Sequence, residues 1–439
     1  MEGSSTARAR DSSGMIAPKA LSETGVSRSL LEHLALKILG LHGEMTLIDL
    51  ADRMCLRPSV IDPIFQSLRR EQLCEVKGME LGTYRIAPSS QGKIRAMELI
   101  AINAYAGPAP VSLADYNAQV REQSATKTII KAADLVRAFS SLVLSADTFL
   151  RLGTAMVSGT SLFLYGPSGT GKTSIANCMA SVYQDVVCIP HAIEVDSQII
   201  VVYDPSVHHQ IQIEGPISDD SDRRWMTCRR PCVVAGGELS ADDLDLQFNA
   251  VSRFYTAPLQ MKANSGVLVL DDFGRQRIPP DVLLNRWMTP LDQGYDFLAL
   301  SGGNRFEIPF DLFVVFATNL DPADLADEAF LRRIPNKIKA DYATPEQFTE
   351  ILRAECSARS LVFNPAMAQH LIQLIQHEMN RPLSQCYARD IVNQIMWNAA
   401  YVGVPPAVTP ETLEVACQNY FLAPAKTSEL PREALPGNR

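Results

Sequence analysis

The chain holds 439 residues, 46% of them hydrophobic and 20% charged, with a net charge of −9. Such a length and balance support two or three globular domains and exclude a fibre or a solvated polymer. The acidic excess excludes a protein coated throughout in nucleic acid, while leaving room for a local basic patch. The opening Met1-Glu-Gly-Ser-Ser-Thr-Ala-Arg8 has no apolar leader and no run reaches the length of a membrane span, so a cytoplasmic location without membrane contact is expected. Nine cysteines without a Cys-x-x-Cys pair fit reduced, mostly buried thiols.

Residues 1–25 are rich in Ser, Gly and Arg and poor in large apolar side chains, which predicts a disordered tail. From Ser27 onward, Leu30, Leu31, Leu34, Ile38 and Leu41 recur at helical spacing, and Gly40 to Gly43 mark the helix end. A second helix is expected over residues 46–53 and a third, capped by Ser59, over 59–70; short strands follow at 73–76 and 82–86. Three helices and a hairpin across 26–100 resemble a winged helix-turn-helix domain, which implies a third helix able to enter a DNA major groove. The charges are less suggestive: between Arg28 and Glu98 ten Lys/Arg face nine Asp/Glu, a weak footprint for phosphate binding. DNA binding and protein docking both stay open for this region. Residues 101–128, with Gly107-Pro-Ala-Pro110, read as a linker.

From Ile129 helical periodicity leads into Ser161-Leu-Phe-Leu-Tyr-Gly-Pro-Ser-Gly-Thr-Gly-Lys-Thr-Ser174, an apolar strand that breaks into a glycine loop and a helix start. Gly166, Gly169 and Gly171 free the backbone to aim its N–H groups inward, and Pro167, Ser168 and Thr170 fill the loop between them. Lys172 adds a charge for the β- and γ-phosphates, Thr173 a hydroxyl for Mg²⁺, and Ser174 continues the helix, so the stretch satisfies the Walker A pattern for ATP. Gly266-Val-Leu-Val-Leu-Asp-Asp-Phe-Gly274 is a buried strand ending in two carboxylates. Asp271 suits the Mg²⁺ shell and Asp272 the polarisation of an attacking water, with capping of the next helix as the competing role for Asp272. Phe313-Val-Val-Phe-Ala-Thr-Asn319 is a further strand that places Asn319 where ligands gather in parallel sheets. Arg332 and Arg333 then end a short helix.

In this order the motifs resemble the AAA+ ATPase family. The resemblance spans roughly residues 146–422 and implies an αβα P-loop NTPase sandwich with a parallel sheet over 129–343, an insertion at about 203–262, and a C-terminal helical lid over 344–423. Residues 424–439 are left as a loose tail. It further implies a homo-oligomer, a hexameric ring, in which Asn319 acts as a sensor and Arg333, with Arg332 as competitor, reaches the next subunit's γ-phosphate. Arg389, at a helix start within Cys386-Tyr-Ala-Arg-Asp-Ile391, matches the second sensor. In most relatives the residue at Asp272 is Glu, which puts the hydrolysis rate in doubt.

Other stretches carry weaker signals. Phe254-Tyr255 are candidates for an aromatic pore loop, with a place in the core as the commoner role. Cys228 and Cys232 near His208-His209 have a spacing unlike common zinc modules. The run from Ala263 to Asn319, with a turn at Ser301-Gly-Gly-Asn304, is similar to bacterial enhancer-binding activators, but their GAFTGA loop is absent. The expectation is an ATP-hydrolysing remodeller of a protein or protein assembly. A DNA-associated regulator and a slow nucleotide-dependent scaffold are the alternatives.

Overall fold

The computed structural model describes residues 15–80, 82–211, 220–325 and 327–421; residues 1–14 of the expected N-terminal tail, 212–219 of the expected insertion and the expected tail at 424–439 lie outside them. The chain divides into two compact units. Residues 15–139, 150–165 and 176–338 contribute to one, and residues 140–149, 166–175 and 339–421 to the other.

The first unit is built on a five-stranded sheet in the spatial order Cys232–Ala235, Val267–Leu270, Phe313–Thr318, Leu162–Tyr165, Asn336–Lys339. The first four run parallel, with Ala235 opposite Leu270, Leu270 opposite Phe316, and Thr318 opposite Tyr165. Their side chains are almost wholly apolar, which is what a sheet covered on both faces demands. Val267 to Leu270 are all fully buried, and Phe163, Phe273 and Phe316 pack ring to ring at 5.1–6.0 Å. The chain is therefore mixed α/β with a parallel sheet at its centre, and Asp271 and Asn319 follow directly on the ends of adjacent strands.

The same unit holds the N-terminal elements. Helices Arg28–His42, Leu47–Met54 and Pro58–Arg70 pack around a three-stranded antiparallel sheet of Met45–Thr46, Thr83–Pro88 and Cys74–Glu80. Ser27 caps the first helix, and a reciprocal Thr46–Asp49 capping box starts the second. Their core is shared with Ala192 and Ile199 of a second five-stranded sheet, ordered Gln247–Phe248, Tyr255–Thr256, Gln198–Val201, Ala192–Val195, Val111–Ser112. The expected insertion thus draws on strands that begin before residue 203.

Two expectations change here. Residues 15–25 are not a disordered tail: Thr24 is fully buried, Ala17 N–H donates to Asp220 O at 2.7 Å, and Arg224 Nη1 donates to Thr24 O at 2.9 Å. Arg224 is itself buried against the Asp222 carboxylate at 2.8 Å, and removing one partner of such a pair costs roughly 3–5 kcal/mol. Residues 101–128 are not only a linker either. They include a helix, Leu113–Glu122, capped by Ser112, whose Tyr116 and Val120 join the core of the second sheet.

The second unit is dominated by helices Pro345–Ala358, Pro365–Gln373, Gln385–Val402 and Pro410–Tyr420. A Thr344–Gln347 capping box opens the first, and Asn364 and Thr409 cap two others. Phe348, Leu352, Leu371, Ile391, Ile395 and Leu413 make their core. Among the described residues no helix is long and apolar enough to cross a membrane.

Candidate functional site

The glycine loop belongs to the second unit and its shape is a backbone property. Gly166, Gly169 and Gly171 have φ of +138°, +79° and +82°, values that L side chains rarely adopt. Space forbids a side chain as well. A Cβ on Gly166 would lie 2.2 Å from Ala340 O, one on Gly169 2.3 Å from Ser384 Oγ, and one on Gly171 2.7 Å from Gln385 Oε1. Thr170 is buried and its hydroxyl donates to Pro167 O at 2.9 Å, closing the turn. The helix Lys172–Ala180 starts at once, its first turn exposing Thr173 and Ser174. Lys172 is buried, and its Nζ donates to Gly166 O and Pro167 O at 2.8 Å each.

Around the loop lies the start of helix Gln385–Val402. Cys386 N–H donates to Gly169 O at 3.1 Å, and Ser384 Oγ donates to Ser168 O at 3.2 Å. Ser384, Gln385 and Cys386 are therefore candidate site residues that the sequence did not reveal; only Arg389 of this helix had been singled out. Arg389 sits one turn further on. Its Nε donates to Asp390 Oδ1 at 2.9 Å, a bond that raises the guanidinium's pKa above its ordinary value, and Tyr420 OH donates to the other carboxylate oxygen.

The carboxylates belong to the first unit. Asp271 N–H donates to Ala235 O at 2.8 Å, the last rung before the strand breaks. Asp272 turns away with φ +49°, its N–H donating to Asp271 Oδ1 at 3.0 Å and its side chain exposed. A non-glycine residue in this conformation costs roughly 1–2 kcal/mol, so its surroundings must enforce it. Gln276 does so with both ends of its amide: Gly274 N–H donates to Oε1, and Nε2 donates to Asp271 O, each at 2.8 Å. From the neighbouring strand, fully buried Thr318 donates its hydroxyl to Phe273 O at 2.7 Å. Asn319 follows, with a buried Oδ1 that has no hydrogen-bond partner among the described residues. Leaving such an acceptor unpaired costs roughly 1–3 kcal/mol, which a bound water or ligand donor would recover.

The two arginines differ in environment. Arg332 is exposed and pairs with Glu328 at 3.0 Å. Arg333 is mostly buried, its Nε donating to Asp292 Oδ2 at 2.6 Å and its Nη1 to Ala329 O at 2.7 Å.

The weaker candidates resolve into structure. Tyr255 is buried and donates to Ser301 Oγ at 2.7 Å, while Phe254 meets Tyr105 edge to face at 5.8 Å, so this pair is core and not a pore loop. Cys228 is buried in a strand, and both ring nitrogens of His208 are engaged, with Asp204 N and Lys262 O. Among the described residues no group of three or more His, Cys, Asp or Glu could hold a metal ion.

One family model, a domain of unknown function (DUF8689), matches residues 344–419, the helices of the second unit. No curated protein matches the chain in sequence. Among solved structures it is similar to NtrX from Brucella abortus in complex with ADP, at 15% identity and a TM-score of 0.40, covering 77% of this chain and 68% of that one. It is also similar to the RuvB Holliday junction branch migration motor of Thermotoga maritima, at 14% identity and a TM-score of 0.37, covering 62% and 67%. Both likenesses are remote, and the functional reading rests on the chain's own residues.

Proposed function

We propose that this chain is a Mg²⁺-dependent ATPase of the AAA+ type that assembles into a homo-oligomeric ring and remodels a protein or protein assembly. The observation that carries the reading is the glycine loop, with three left-handed glycines ahead of a helix and a buried lysine held at the loop's own carbonyls. Backbone N–H groups from Gly166 to Ser174 and the helix dipole receive the phosphates. Lys172 exchanges two carbonyl partners for β- and γ-phosphate oxygens. The lid residues Ser384 and Cys386 fix the loop's outer edge.

The remaining roles follow from the donor chemistry. Thr173 and Asp271 offer a hydroxyl and a carboxylate, hard oxygens of the kind Mg²⁺ accepts alongside water and phosphate. When bound, Mg²⁺ neutralises charge on the phosphate oxygens. Asp272 is the carboxylate that polarises the attacking water. Its side chain is exposed, and being one methylene shorter than Glu it reaches less far. Asn319 orients that water with its Oδ1, which has no partner among the described residues. Arg389 touches the γ-phosphate from the same chain. Arg333, with Arg332 as its competitor, supplies the charge from the neighbouring subunit. Transition-state arginines of this sort contribute roughly 10³ to 10⁵ in rate.

A DNA-associated regulator is the second reading, supported by the three helices and hairpin of residues 28–88. The charges favour a protein partner instead: Arg57 pairs with Asp220 at 2.6 Å, and Arg85 with Glu44 at 2.6 Å, so two of the cations suited to phosphate are already engaged. A complementation experiment tests the shared site. Mixed oligomers of Arg333→Ala and Lys172→Ala subunits should recover part of the turnover that each variant lacks alone. No recovery in oligomers shown to be mixed contradicts an arginine supplied in trans.

A further inference from the structure

We infer that Gln276 is a positioning residue that aims the Asp272 carboxylate. This deepens the ATPase reading and rests on it. The turn after the second strand has three fixed points. Asp271 N–H is the last rung of the sheet, Phe273 is buried with its N–H on Ala317 O at 2.8 Å, and Thr318 holds Phe273 O from the adjacent strand. Asp272 lies between these points with an exposed side chain, so packing does not decide where its carboxylate points. The backbone at Asp272 sets where its Cα–Cβ bond starts and which rotamers it allows, and that backbone depends on what holds the peptide units around it.

The peptide after Asp272 has its own partners, with Arg275 N–H donating to Asp272 O at 3.0 Å and Phe273 N–H to Ala317 O at 2.8 Å, and Gln276 holds the peptide before Asp272 and the one that ends at Gly274. Its amide oxygen accepts from Gly274 N–H and its amide nitrogen donates to Asp271 O, each at 2.8 Å, so one planar side chain spans the turn from the residue before Asp272 to the second residue after it. Gly274 itself has φ +100°, which glycine adopts without strain. The amide fits this task because it carries a donor and an acceptor; a carboxylate supplies only the acceptor, and a thioether supplies neither strongly. Without the brace Asp272 relaxes toward an ordinary backbone region and its carboxylate swings away. Asp271 stays, because the sheet holds it. Gln276 touches neither phosphate nor water in this account; it acts through Asp272.

The split between binding and turnover tests this. In the full-length protein, Gln276→Met, which keeps the volume but not the hydrogen bonds, should lower kcat about tenfold. It should leave KM for ATP, ADP affinity and the thermal midpoint close to wild type, and Gln276→Glu, which keeps one of the two bonds, should fall between. A merely structural role would instead lower stability and kcat and raise KM together, and that pattern overturns the proposal. So does wild-type kcat in Gln276→Met. If the wild-type protein binds and turns over ATP while Gln276→Met is unchanged, only this inference fails; if the wild-type protein shows no turnover, the ATPase reading fails and takes the inference with it.

Discussion

The glycine loop and the carboxylate turn are shaped by opposite means. The loop is shaped by what its residues lack. Gly166, Gly169 and Gly171 adopt positive φ where a Cβ would collide with Ala340 O, Ser384 Oγ and Gln385 Oε1. The turn is shaped by what its residues add: Asp272 is forced into a conformation that its own Cβ resists, and Gln276 and Thr318 keep it there through hydrogen bonds. A loop made by omission needs no side chain to hold its glycines at positive φ. A turn made by bracing depends on single side chains, so its failures should appear in rate and not in affinity.

That contrast can be broken by substitution. The largest effect belongs to the loop. Gly169→Ala places a methyl 2.3 Å from Ser384 Oγ and 2.6 Å from Cys386 Sγ at φ +79°. It should weaken ATP affinity by about five- to thirtyfold, as strain of roughly 1–2 kcal/mol implies, with isothermal titration as the check. Unchanged affinity would mean that the loop reshapes freely. A smaller effect is expected at the turn. Thr318→Val removes the hydroxyl that serves Phe273 O and leaves that buried carbonyl unpaired, which should cost roughly 1–3 kcal/mol of stability in denaturant unfolding. Its kcat should fall less than that of Gln276→Met while ATP affinity holds. Equal losses in affinity at both places would erase the distinction.

The same contrast explains what the sequence made legible. Glycines at fixed spacing before Lys172-Thr173, and apolar runs ending in Asp271 and Asn319, are local signals, because the strand, the turn and the helix start each draw on neighbouring residues. The parallel pairing of those strands followed from their uniform burial. Gln276 gave no such signal, since its role depends on a two-ended hydrogen bond within an irregular turn. Ser384 and Cys386 were hidden for another reason: they meet the loop from more than two hundred positions away.

Long-range contacts also account for the misread segments. Thr24 is buried because Arg224 reaches its carbonyl, and Tyr116 is buried among Asn264 and Met261. Neither partner can be seen from residues 15–25 or 101–128 alone, and polar composition there pointed to disorder and a linker. The aromatic pair Phe254-Tyr255 shows the reverse. A place in the core was the commoner expectation for it, and the fold uses it for packing against Tyr105 and for a hydrogen bond to Ser301.

The claim that joins these regions is that ATP is bound by the glycine loop and hydrolysed. It is tested most directly by measuring ATP binding and Mg²⁺-dependent phosphate release by the full-length wild-type protein beside folded Lys172→Ala. The account predicts binding and turnover in the wild type and loss of both in the variant; ATP affinity retained in Lys172→Ala, or a wild-type protein that does not bind ATP, would contradict it.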